Sequence, residues 1–391
     1  MTKTTHYDVI IIGAGSVGVP TALFLAEKKV KVLVLDKEPS IGQGQNKRAI
    51  GGVRKTHSDP TKIHLCDRSL QVFSTWKEKY GVDIGWKTGG YCFPVYTAEH
   101  EKMLKDLLAI QKKFGLDIDW HPAETIKELV PGINPDDLRG GVYSPGDGQA
   151  SPLMAVVAMT KRAEELGATF LYKEQVIGIN LESGKVKGVK TAKGEFFAPV
   201  VVNASGADAR EVGHLTGLDL PVYPDSHEAG VTAPVAPFLK PLVVDLRTGA
   251  DGKSSNFYFG QEHHGQIIFC YTPKPLIEGT DINATSEFLP RAAKRLIQLV
   301  PRLQNVLIRR VWRGLYPMTP DGSPIVDQVE HIKGMYLAVG MCGQGFMLGP
   351  GIGANLANFI VTGKPEIPLD LWKTFSFKRD FYGHAGGEKL K

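Results

Sequence analysis

A glycine-rich turn between two apolar stretches constrains the fold of this chain more than any other feature. An apolar stretch over 9–12 leads into the turn, and a helical pattern over 19–27 and a second apolar stretch over 30–35 follow it. This order predicts a β-strand, a helix and a second, parallel β-strand. The turn has the pattern GxGxxG and consists of Gly13, Ala14, Gly15, Ser16, Val17 and Gly18.

The three glycines of this turn have separate physical roles. Gly13 permits the sharp turn out of the strand, Gly15 lets the backbone approach a pyrophosphate, and Gly18 lets the helix pack closely on the sheet. The helix N-terminus then offers free N–H groups and a positive dipole end to the phosphates. After the second strand, Asp36 offers a carboxylate to ribose hydroxyls, with Lys37 next to it as a further candidate. We therefore predict dinucleotide binding, and an incidental glycine turn is the alternative.

The composition is typical of a globular protein of two domains. The chain has 391 residues, of which 42% are hydrophobic and 22% charged, and its net charge is +5. Basic residues are interspersed with acidic ones, so nothing favours nucleic acid as a partner. No signal peptide, no apolar run of about 20 residues and no metal-ligand spacing is present. We predict a cytoplasmic protein without a transmembrane segment or a metal, and leave peripheral attachment to a membrane open.

Three more segments rich in small residues are predicted to contact the same cofactor. The loop over 39–54 has few apolar residues, so it is expected to lie along an extended cofactor. The strand and turn over 200–208 repeat the strand-turn-helix order, with a tight packing turn as the alternative. The segment over 340–347 precedes a helix predicted over 351–361, whose dipole would point at the cofactor. The candidates in these segments are Gly44, Gln45, Asn46, Arg48, Ala204, Gly206 and Gly340.

The chain is predicted to be an α/β protein of two interleaved domains. Residues 221–271 show the alternation and turn residues of an antiparallel sheet, unlike the nucleotide-binding parts. Residues 384–391 are predicted to be disordered. The predicted domains are a Rossmann-like cofactor domain of 1–84, 146–215 and 309–391, and an α+β substrate domain of 85–145 and 216–308.

Several motifs, taken in order, resemble those of FAD-dependent amine oxidoreductases. The family is that of D-amino-acid oxidase, glycine oxidase and sarcosine oxidase, and the resemblance spans nearly the whole chain. Within it, the β subunits of sarcosine oxidase and of dye-linked L-proline dehydrogenase share a further pattern, seen here as Gly42-x-Gly44, Arg48 and Gly52-x-Arg54. The motifs are GAGSVG and the later Asp36, VVVNASGAD at 200–208, WRGLYPMTPDGSPIVD at 312–327, and GMCGQGFMLGPGIG at 340–353.

This resemblance implies FAD as the cofactor. The βαβ unit would hold its ADP half, and Val176 would meet the adenine through its backbone. Arg54 falls where the sarcosine oxidase group places an arginine for the substrate carboxylate, a task that suits the parallel N–H donors of guanidinium. An internal ion pair or a flavin contact is the alternative for Arg54. The residues implied beside the flavin ring are Gln45, Asn46, Arg48, Gly51 and Gly52, and, at its pyrimidine edge, Gly343, Gln344, Gly345, Phe346 and Met347.

Departures from the family narrow the predicted chemistry. The chain lacks the flavin-linking cysteine that monomeric sarcosine oxidase carries near Gly314, so non-covalent FAD is expected. Met347 and Tyr316 stand where relatives place a second cation for the carboxylate, so such a group is not assigned. The strand over 266–271 has no lysine where the oxidases present one to promote reaction with oxygen. This favours a dehydrogenase that passes electrons to a partner subunit or a quinone, and a heteromeric complex of this type can carry FMN as a second flavin.

The resemblance also implies the reaction. A hydride would leave the α-carbon of a small amino acid or N-alkyl amino acid, of the sarcosine, proline or glycine type, for flavin N5, and the resulting imine would hydrolyse. The candidate pocket residues beside Arg54 are His57, Tyr258 and Tyr316, each with a purely structural role as the alternative. Two other functions stay open. One is oxidation of a 2-hydroxy acid or glycerol 3-phosphate with His57 as base, and the other is flavin binding without turnover.

Overall fold

The computed structural model describes residues 6–383 and residue 390. The helices of these residues are α1 (Gly18–Glu27), α2 (Pro60–Tyr80), α3 (Ala98–Lys113), α4 (Ala123–Leu129), α5 (Pro152–Glu165), α6 (Ala209–His214), α7 (Phe288–Leu299), α8 (Gly345–Thr362) and α9 (Leu369–Lys373). The strands are β1 (Val9–Ile12), β2 (Val32–Asp36), β3 (Gly52–Val53), β4 (Lys87–Thr88), β5 (Tyr91–Val95), β6 (Asp119–His121), β7 (Gly140–Ser144), β8 (Gly148–Gln149), β9 (Thr169–Tyr172), β10 (Val176–Glu182), β11 (Lys185–Thr191), β12 (Gly194–Phe197), β13 (Val200–Asn203), β14 (Tyr223–Pro234), β15 (Leu242–Asp245), β16 (Phe257–Gln261), β17 (Gln266–Cys270), β18 (Ile308–Met318), β19 (Ile325–Gln328) and β20 (Met335–Val339).

A six-stranded sheet carries the predicted βαβ unit. Its order is β19-β20-β13-β1-β2-β9, and all its pairs are parallel except β19 with β20. The apolar runs of β1, β2 and β20 are buried on both faces, because helices α1, α5 and α8 cover one face and the three-stranded sheet β10-β11-β12 packs near the other. The predicted Rossmann-like architecture is therefore confirmed.

A second sheet of eight strands has the order β18-β14-β17-β16-β15-β5-β7-β6. Its pairs are antiparallel except β15 with β5. This confirms the antiparallel sheet predicted within 221–271. Helix α7 packs on this sheet through Phe288, Ala292 and Leu296, so the sheet has an apolar core of its own.

Helix α8 begins six residues before the predicted start at residue 351. It runs from Gly345 and contains Pro350 within its first turns. Two of its glycines allow close contact with neighbouring backbone, one with the β1–α1 turn and one with α2. A Cβ atom on Gly349 would lie 1.9 Å from the Ser16 carbonyl oxygen, and one on Gly351 would lie 2.0 Å from that of Leu65. The prediction of a helix here was correct, but Gly345, which was read as part of the preceding loop, is inside the helix, whereas Gly340 and Gly343 precede it.

The predicted division into two domains stays a prediction, with one observed difference. Residues 309–318 were assigned to the cofactor domain, yet β18 pairs with β14 at the edge of the eight-stranded sheet. The predicted disorder over 384–391 falls outside the described residues except for Leu390, which is only 1% exposed. In the part of the chain that the structure describes, no helix has the length and apolar character needed to cross a bilayer.

Candidate functional site

A deep cavity of about 1300 Å³ lies where the two large sheets meet. Its walls include the carboxyl ends of β1, β2 and β13, the loop over 43–52, and residues of β14, β16 and β18. Ligand sites of open parallel sheets lie beyond the carboxyl ends of the strands, so this position is expected for a nucleotide. The volume exceeds the range of about 300–1,000 Å³ typical of small-molecule pockets, which suits a large cofactor with a substrate beside it.

The turn after β1 lines the cavity at one end. Gly13 has a φ of 111°, and a Cβ atom there would lie 2.5 Å from the Ala204 carbonyl oxygen. Gly15 faces open space, with no other atom within 4 Å of the position of a Cβ atom. Gly18 is tightly packed, since its Cβ atom would lie 1.9 Å from the Gly13 carbonyl oxygen. Gly13, Gly15, Ser16 and Val17 line the cavity, whereas Ala14 and Gly18 do not.

Asp36 closes this end of the cavity. Its carboxylate accepts hydrogen bonds from the backbone N–H groups of Ala14, at 2.6 Å, and Glu38, at 2.8 Å. Burial raises the pKa of this carboxyl, although the two N–H donors act in the opposite direction. Lys37 forms an ion pair with Asp208 at 2.7 Å, which joins the end of β2 to the turn after β13.

The middle of the chain supplies the neighbouring wall. Val176 at the start of β10 and the small residues Ala204 and Gly206 all line the cavity. Gly206 has a φ of 63° and no atom within 4 Å of the position of a Cβ atom. The turn after β13 therefore leaves space open toward the cavity at Gly206, as predicted from its small residues.

Polar side chains of the loop over 42–52 tie it to its neighbours, and Ala49 and Ile50 pack against apolar cores. Asn46 accepts a hydrogen bond from the Ser16 hydroxyl at 3.1 Å, which ties the loop to the β1–α1 turn. Gln45 accepts one from the Leu315 N–H at 2.7 Å, and Arg48 donates to the Gly44 carbonyl at 2.9 Å. The predicted polar side chains of this loop thus support the loop itself. The predicted residues of this loop that line the cavity are Gly44, Gln45, Asn46, Arg48, Gly51 and Gly52.

The start of α8 faces the cavity. Gly343 has a φ of 78° and packs so closely on Tyr316 that a Cβ atom would lie 2.2 Å from its ring. The amide oxygen Oε1 of Gln344 is buried and has no hydrogen-bond partner among the described residues. Because the first N–H groups of a helix are free, the residues after Gln344 present donors and a positive dipole end. The cavity-lining residues here are Gly343, Gln344, Gly345, Phe346 and Met347.

Gly340, unlike the residues at the start of α8, does not line the cavity. Its φ is 70°, a Cβ atom there would lie 2.5 Å from the Thr319 methyl group, and it is not part of the cavity wall. The prediction that Gly340 contacts the cofactor was therefore misplaced. The glycine is needed for the turn after β20, where a side chain would clash with Thr319.

Arg54 lies at the other end of the cavity. Its guanidinium group lies 6.0 Å from the ring centre of Tyr91 and 5.9 Å from that of Phe93. It donates hydrogen bonds to the carbonyl oxygens of Thr56 and Leu390 and is 7% exposed. No carboxylate pairs directly with it among the described residues, so the alternative of an internal ion pair is not observed.

A buried carboxyl group lies behind Arg54. Asp147 accepts hydrogen bonds from the Lys55 N–H, at 2.8 Å, and from the Thr56 hydroxyl. Burial raises its pKa, while these donors and the nearby charge of Arg54 act in the opposite direction. Asp147 thus fixes the position of Lys55 and Thr56, the two residues that follow Arg54 in the chain.

Two tyrosines and a histidine face the same cavity. The hydroxyl groups of Tyr258 and Tyr316 lie 2.9 Å apart, and burial raises the pKa of both phenols. The His227 ring stacks on Tyr316 with ring centres 3.8 Å apart. Its Nε2 bonds to Asp225 at 2.9 Å, and its buried Nδ1 has no partner among the described residues. In the neutral ring, Nε2–H donates to the carboxylate and Nδ1 is an acceptor.

Sequence reasoning selected the wrong histidine. His57 is fully buried, contacts the Cys66 sulfur through Nε2 at 3.4 Å, and is not on the cavity wall. His227 was missed, although Asp225 and His227 stand two residues apart in a predicted strand region and so share one face. The two-residue spacing of Asp225 and His227 was the sequence signal that could have identified this pair.

The cavity fits a flavin dinucleotide. Gly15, Gly44 and Gly206 leave open space where any other residue would place a side chain. Gln344 offers an unpartnered buried amide oxygen, and Asp36 offers carboxylate oxygens. The described residues contain no cluster of three or more metal-ligating side chains.

Comparisons with known proteins agree with this geometry. The sarcosine dehydrogenase of Mus musculus mitochondria is 29% identical over 97% of this chain, which spans 42% of that protein. Sarcosine oxidase subunit beta of Rhizobium meliloti is 25% identical, with 96% of this chain and 89% of the subunit covered. The crystal structure of L-proline dehydrogenase from P. horikoshii superposes with a TM-score of 0.89 at 32% identity, covering 96% of this chain and 97% of that one.

This chain spans less than half the length of the mitochondrial dehydrogenases that it matches, and about the whole length of the other two proteins. The predicted resemblance and fold class are confirmed. Residues 8–359 match the profile of the family described as DAO, FAD dependent oxidoreductase. The chain therefore belongs to this family of FAD-dependent oxidoreductases.

Proposed function

We propose that this protein is an amino-acid dehydrogenase that oxidises a small amino acid or N-alkyl amino acid of the sarcosine, proline or glycine type. Its family supports FAD as the cofactor, and the relatives include enzymes of sarcosine and proline. When bound, the flavin would supply the acceptor for the hydride that leaves the substrate α-carbon. The β1–α1 turn and Asp36 would hold the ADP half without a covalent link.

The observation that carries the proposal is the position of Arg54. It is a cation on the wall of a cavity whose far end has the nucleotide-binding turn, and aromatic rings flank it. A carboxylate bound beside Arg54 would be matched by the parallel N–H donors of its guanidinium group, which in this structure bond to the main-chain carbonyl oxygens of Thr56 and Leu390. The substrate would then be held at one end, with its amine on the side of the Tyr258 and Tyr316 hydroxyls. Such fixed orientation supplies much of the rate in enzymes of this kind.

Electron transfer to a partner rather than to oxygen is part of the proposal. Strand β17 places Cys270 on the cavity wall beside Tyr258, and the strand contains no lysine. A buried thiol carries no charge here, because burial raises its pKa. Nothing in β17 would therefore stabilise the negative charge of reduced oxygen. The partner subunit or quinone, the cytoplasmic location, a second flavin and any peripheral attachment to a membrane stay predictions.

Oxidation of a 2-hydroxy acid is the second candidate. Removal of a hydride from a C–OH group calls for a base, and His57 is not on the cavity wall. His227 is there instead, with Nδ1 as an acceptor and Asp225 on the other nitrogen. The same cavity thus contains a group that could take the hydroxyl proton.

The test is anaerobic reduction of the bound flavin by a panel of amino acids, N-methyl amino acids and 2-hydroxy acids. We expect loss of flavin absorbance with one class of amino acid and none with the hydroxy acids. Reduction by hydroxy acids alone would replace the first proposal with the second. Absence of reduction by every compound would support a flavin-binding subunit without turnover. Oxygen consumption as fast as the reduction of an artificial dye would contradict the dehydrogenase assignment.

A further inference from the structure

Lys62 is a buried lysine that no step of the proposed reaction uses. It stands in the first turn of α2 and is 0% exposed. Its Nζ atom donates a hydrogen bond to the carbonyl oxygen of Gly322 at 3.2 Å. Among the described residues, no carboxylate forms an ion pair with it. Lysine is almost never fully buried without a partner of opposite charge, so the position of Lys62 requires a physical reason.

The carboxylates next to Lys62 and its partner are engaged by other groups. Asp59 caps α2 and accepts hydrogen bonds from two backbone N–H groups at the start of that helix. Asp321, one residue before the carbonyl that Lys62 contacts, pairs with the guanidinium group of Arg379 at 2.6 Å. Burial of an ammonium group without a counter-charge is strongly unfavourable. A negative charge that arrives with a ligand would offset this cost.

Gly322 connects Lys62 to the cavity. It lines the cavity and belongs to the turn over 319–323. In the same turn, the hydroxyl group of Thr319 lies 3.3 Å from the sulfur of Cys342, which also lines the cavity. The ammonium group of Lys62 is therefore separated from the cavity by a single peptide group of its wall.

The face of α2 that contains Lys62 turns toward the start of α8. One helical turn further along α2, the sulfur of Cys66 lies 4.0 Å from the Met347 carbonyl oxygen. After the next turn, the Ser69 hydroxyl accepts a hydrogen bond from the Gly351 N–H at 2.9 Å. Residues four and seven positions apart lie on one face of a helix, so Lys62 shares the side of these contacts. This side borders the segment that we assign to the pyrimidine edge of the flavin.

We infer that Lys62 is a positioning residue that raises the reduction potential of the bound flavin. The inference rests on the proposed function, with the pyrimidine edge at the start of α8. A hydride carries two electrons and one proton, so the substrate becomes an iminium ion and the neutral flavin ring gains one negative charge. The ammonium group of Lys62 stabilises that charge through the Gly322 peptide, because a buried charge is poorly screened by water.

The test is the reduction potential of the bound flavin in Lys62→Met and Lys62→Gln. Both substitutions remove the charge, but glutamine keeps an N–H donor for the Gly322 carbonyl oxygen. Titration of each holoenzyme with dithionite beside a reference dye gives the two-electron potential. We expect both variants to make reduction about tenfold less favourable, which is a fall of about 30 mV. An unchanged potential in both would overturn the inference, and so would a fall in Lys62→Met alone, which would assign the effect to the hydrogen bond.

The matched control is Lys161→Met. Lys161 is an exposed residue of α5 and does not line the cavity. Because solvent and salt screen an exposed charge, we expect this variant to keep the potential of the natural protein. A fall as large as that of Lys62→Met would overturn the inference, since the loss of any lysine would then have the same effect.

Urea unfolding of the cofactor-free protein separates this role from a structural one. Lys62→Met removes a buried cation that has no counter-charge, so we expect its unfolding midpoint to equal or exceed that of the natural protein. Its flavin content should also be unchanged. A lower midpoint together with loss of flavin would show that Lys62 supports the fold, and the inference would fail.

The potential measurement also separates this inference from the proposed function, because it needs no oxidisable substrate. If no amino acid reduces the flavin but both Lys62 variants lower its potential, the proposed function fails and the role of Lys62 stands. If an amino acid reduces the flavin and the potentials are unchanged, only the role of Lys62 is wrong. A raised KM with an unchanged potential would assign Lys62 to the substrate carboxylate instead and would overturn the inference.

Discussion

The two ends of the cavity are built in different ways. At the nucleotide end, the β1–α1 turn and Asp36 belong to one βαβ unit of fewer than 30 residues. At the substrate end, Arg54 follows β3 of a separate three-stranded sheet, whereas Tyr258 is in β16 and Tyr316 is in β18 of the eight-stranded sheet. Only the packing of the whole fold brings these three residues to one cavity. The first arrangement is local and has a sequence pattern. The second has none, since its residues are separated by up to about 260 positions.

This difference predicts which substitutions lower the stability of the fold and which change ligand binding or turnover. Within the turn, Gly18 is enclosed by backbone atoms and Gly15 faces open space. At the substrate end, Arg54 and His227 are buried side chains on the cavity wall. Five substitutions test the comparison, from the largest expected effect to the smallest.

Gly18→Val is expected to damage the nucleotide end most. The new Cβ atom would lie 1.9 Å from the Gly13 carbonyl oxygen and 3.2 Å from the Ile11 side chain, so the helix must move away from the sheet. We expect the free energy of unfolding to fall by roughly 3 kcal/mol, as in other overpacked cores. Urea unfolding of the cofactor-free protein measures this. A loss below about 0.5 kcal/mol would show that the turn is not rigid.

Gly15→Val is expected to abolish flavin binding without harm to the fold. No atom lies within 4 Å of the new Cβ position and the backbone is not in the left-handed region, so the free energy of unfolding should change by less than about 0.5 kcal/mol. The side chain would fill the space in which the pyrophosphate approaches the backbone. Flavin absorbance of the purified protein is the measurement. Normal flavin content would refute the assignment of this turn.

Arg54→Ala is expected to leave flavin content unchanged and to weaken substrate binding. Loss of charge-assisted hydrogen bonds costs about 3 kcal/mol, which is roughly a 100-fold rise in KM. Arg310→Ala, at an exposed position of β18, is the control and should behave like the natural protein. An unchanged KM in Arg54→Ala would show that Arg54 does not bind the substrate carboxylate, and the proposed separation into a nucleotide end and a substrate end would fail.

Two histidine substitutions give the smallest expected effects. His227→Asn removes the ring that stacks on Tyr316, so we expect kcat to fall roughly tenfold. His57→Asn should leave kcat within about twofold, because His57 contacts Cys66 and does not reach the cavity. Steady-state kinetics with the substrate that reduces the flavin decides between them. A larger loss in His57→Asn would restore the role predicted from the sequence.

Much of the fold was readable from the sequence because its signals are local. The βαβ unit, the loop over 39–54 and the antiparallel sheet were predicted from patterns within a few tens of residues, and their elements are observed. The start of α8 was placed six residues late, because Gly345, Gly349 and Pro350 are typical of a loop. Gly349 packs instead on the β1–α1 turn, where a Cβ atom would lie 1.9 Å from the Ser16 carbonyl oxygen, and Gly351 packs on α2 at Leu65.

The sequence by itself determined the βαβ unit at one end of the cavity, because its strands, glycine turn and helix lie within one short stretch of the chain. It also determined the family, through motifs that keep their order along the chain. Only the tertiary structure decided which side chains of the eight-stranded sheet line the cavity. It placed His57 away from the cavity, His227 on its wall beside Tyr316, and Leu390 against Arg54. The reason is physical: the direction of a side chain in a sheet, and the contact of residues hundreds of positions apart, depend on how the strands pair.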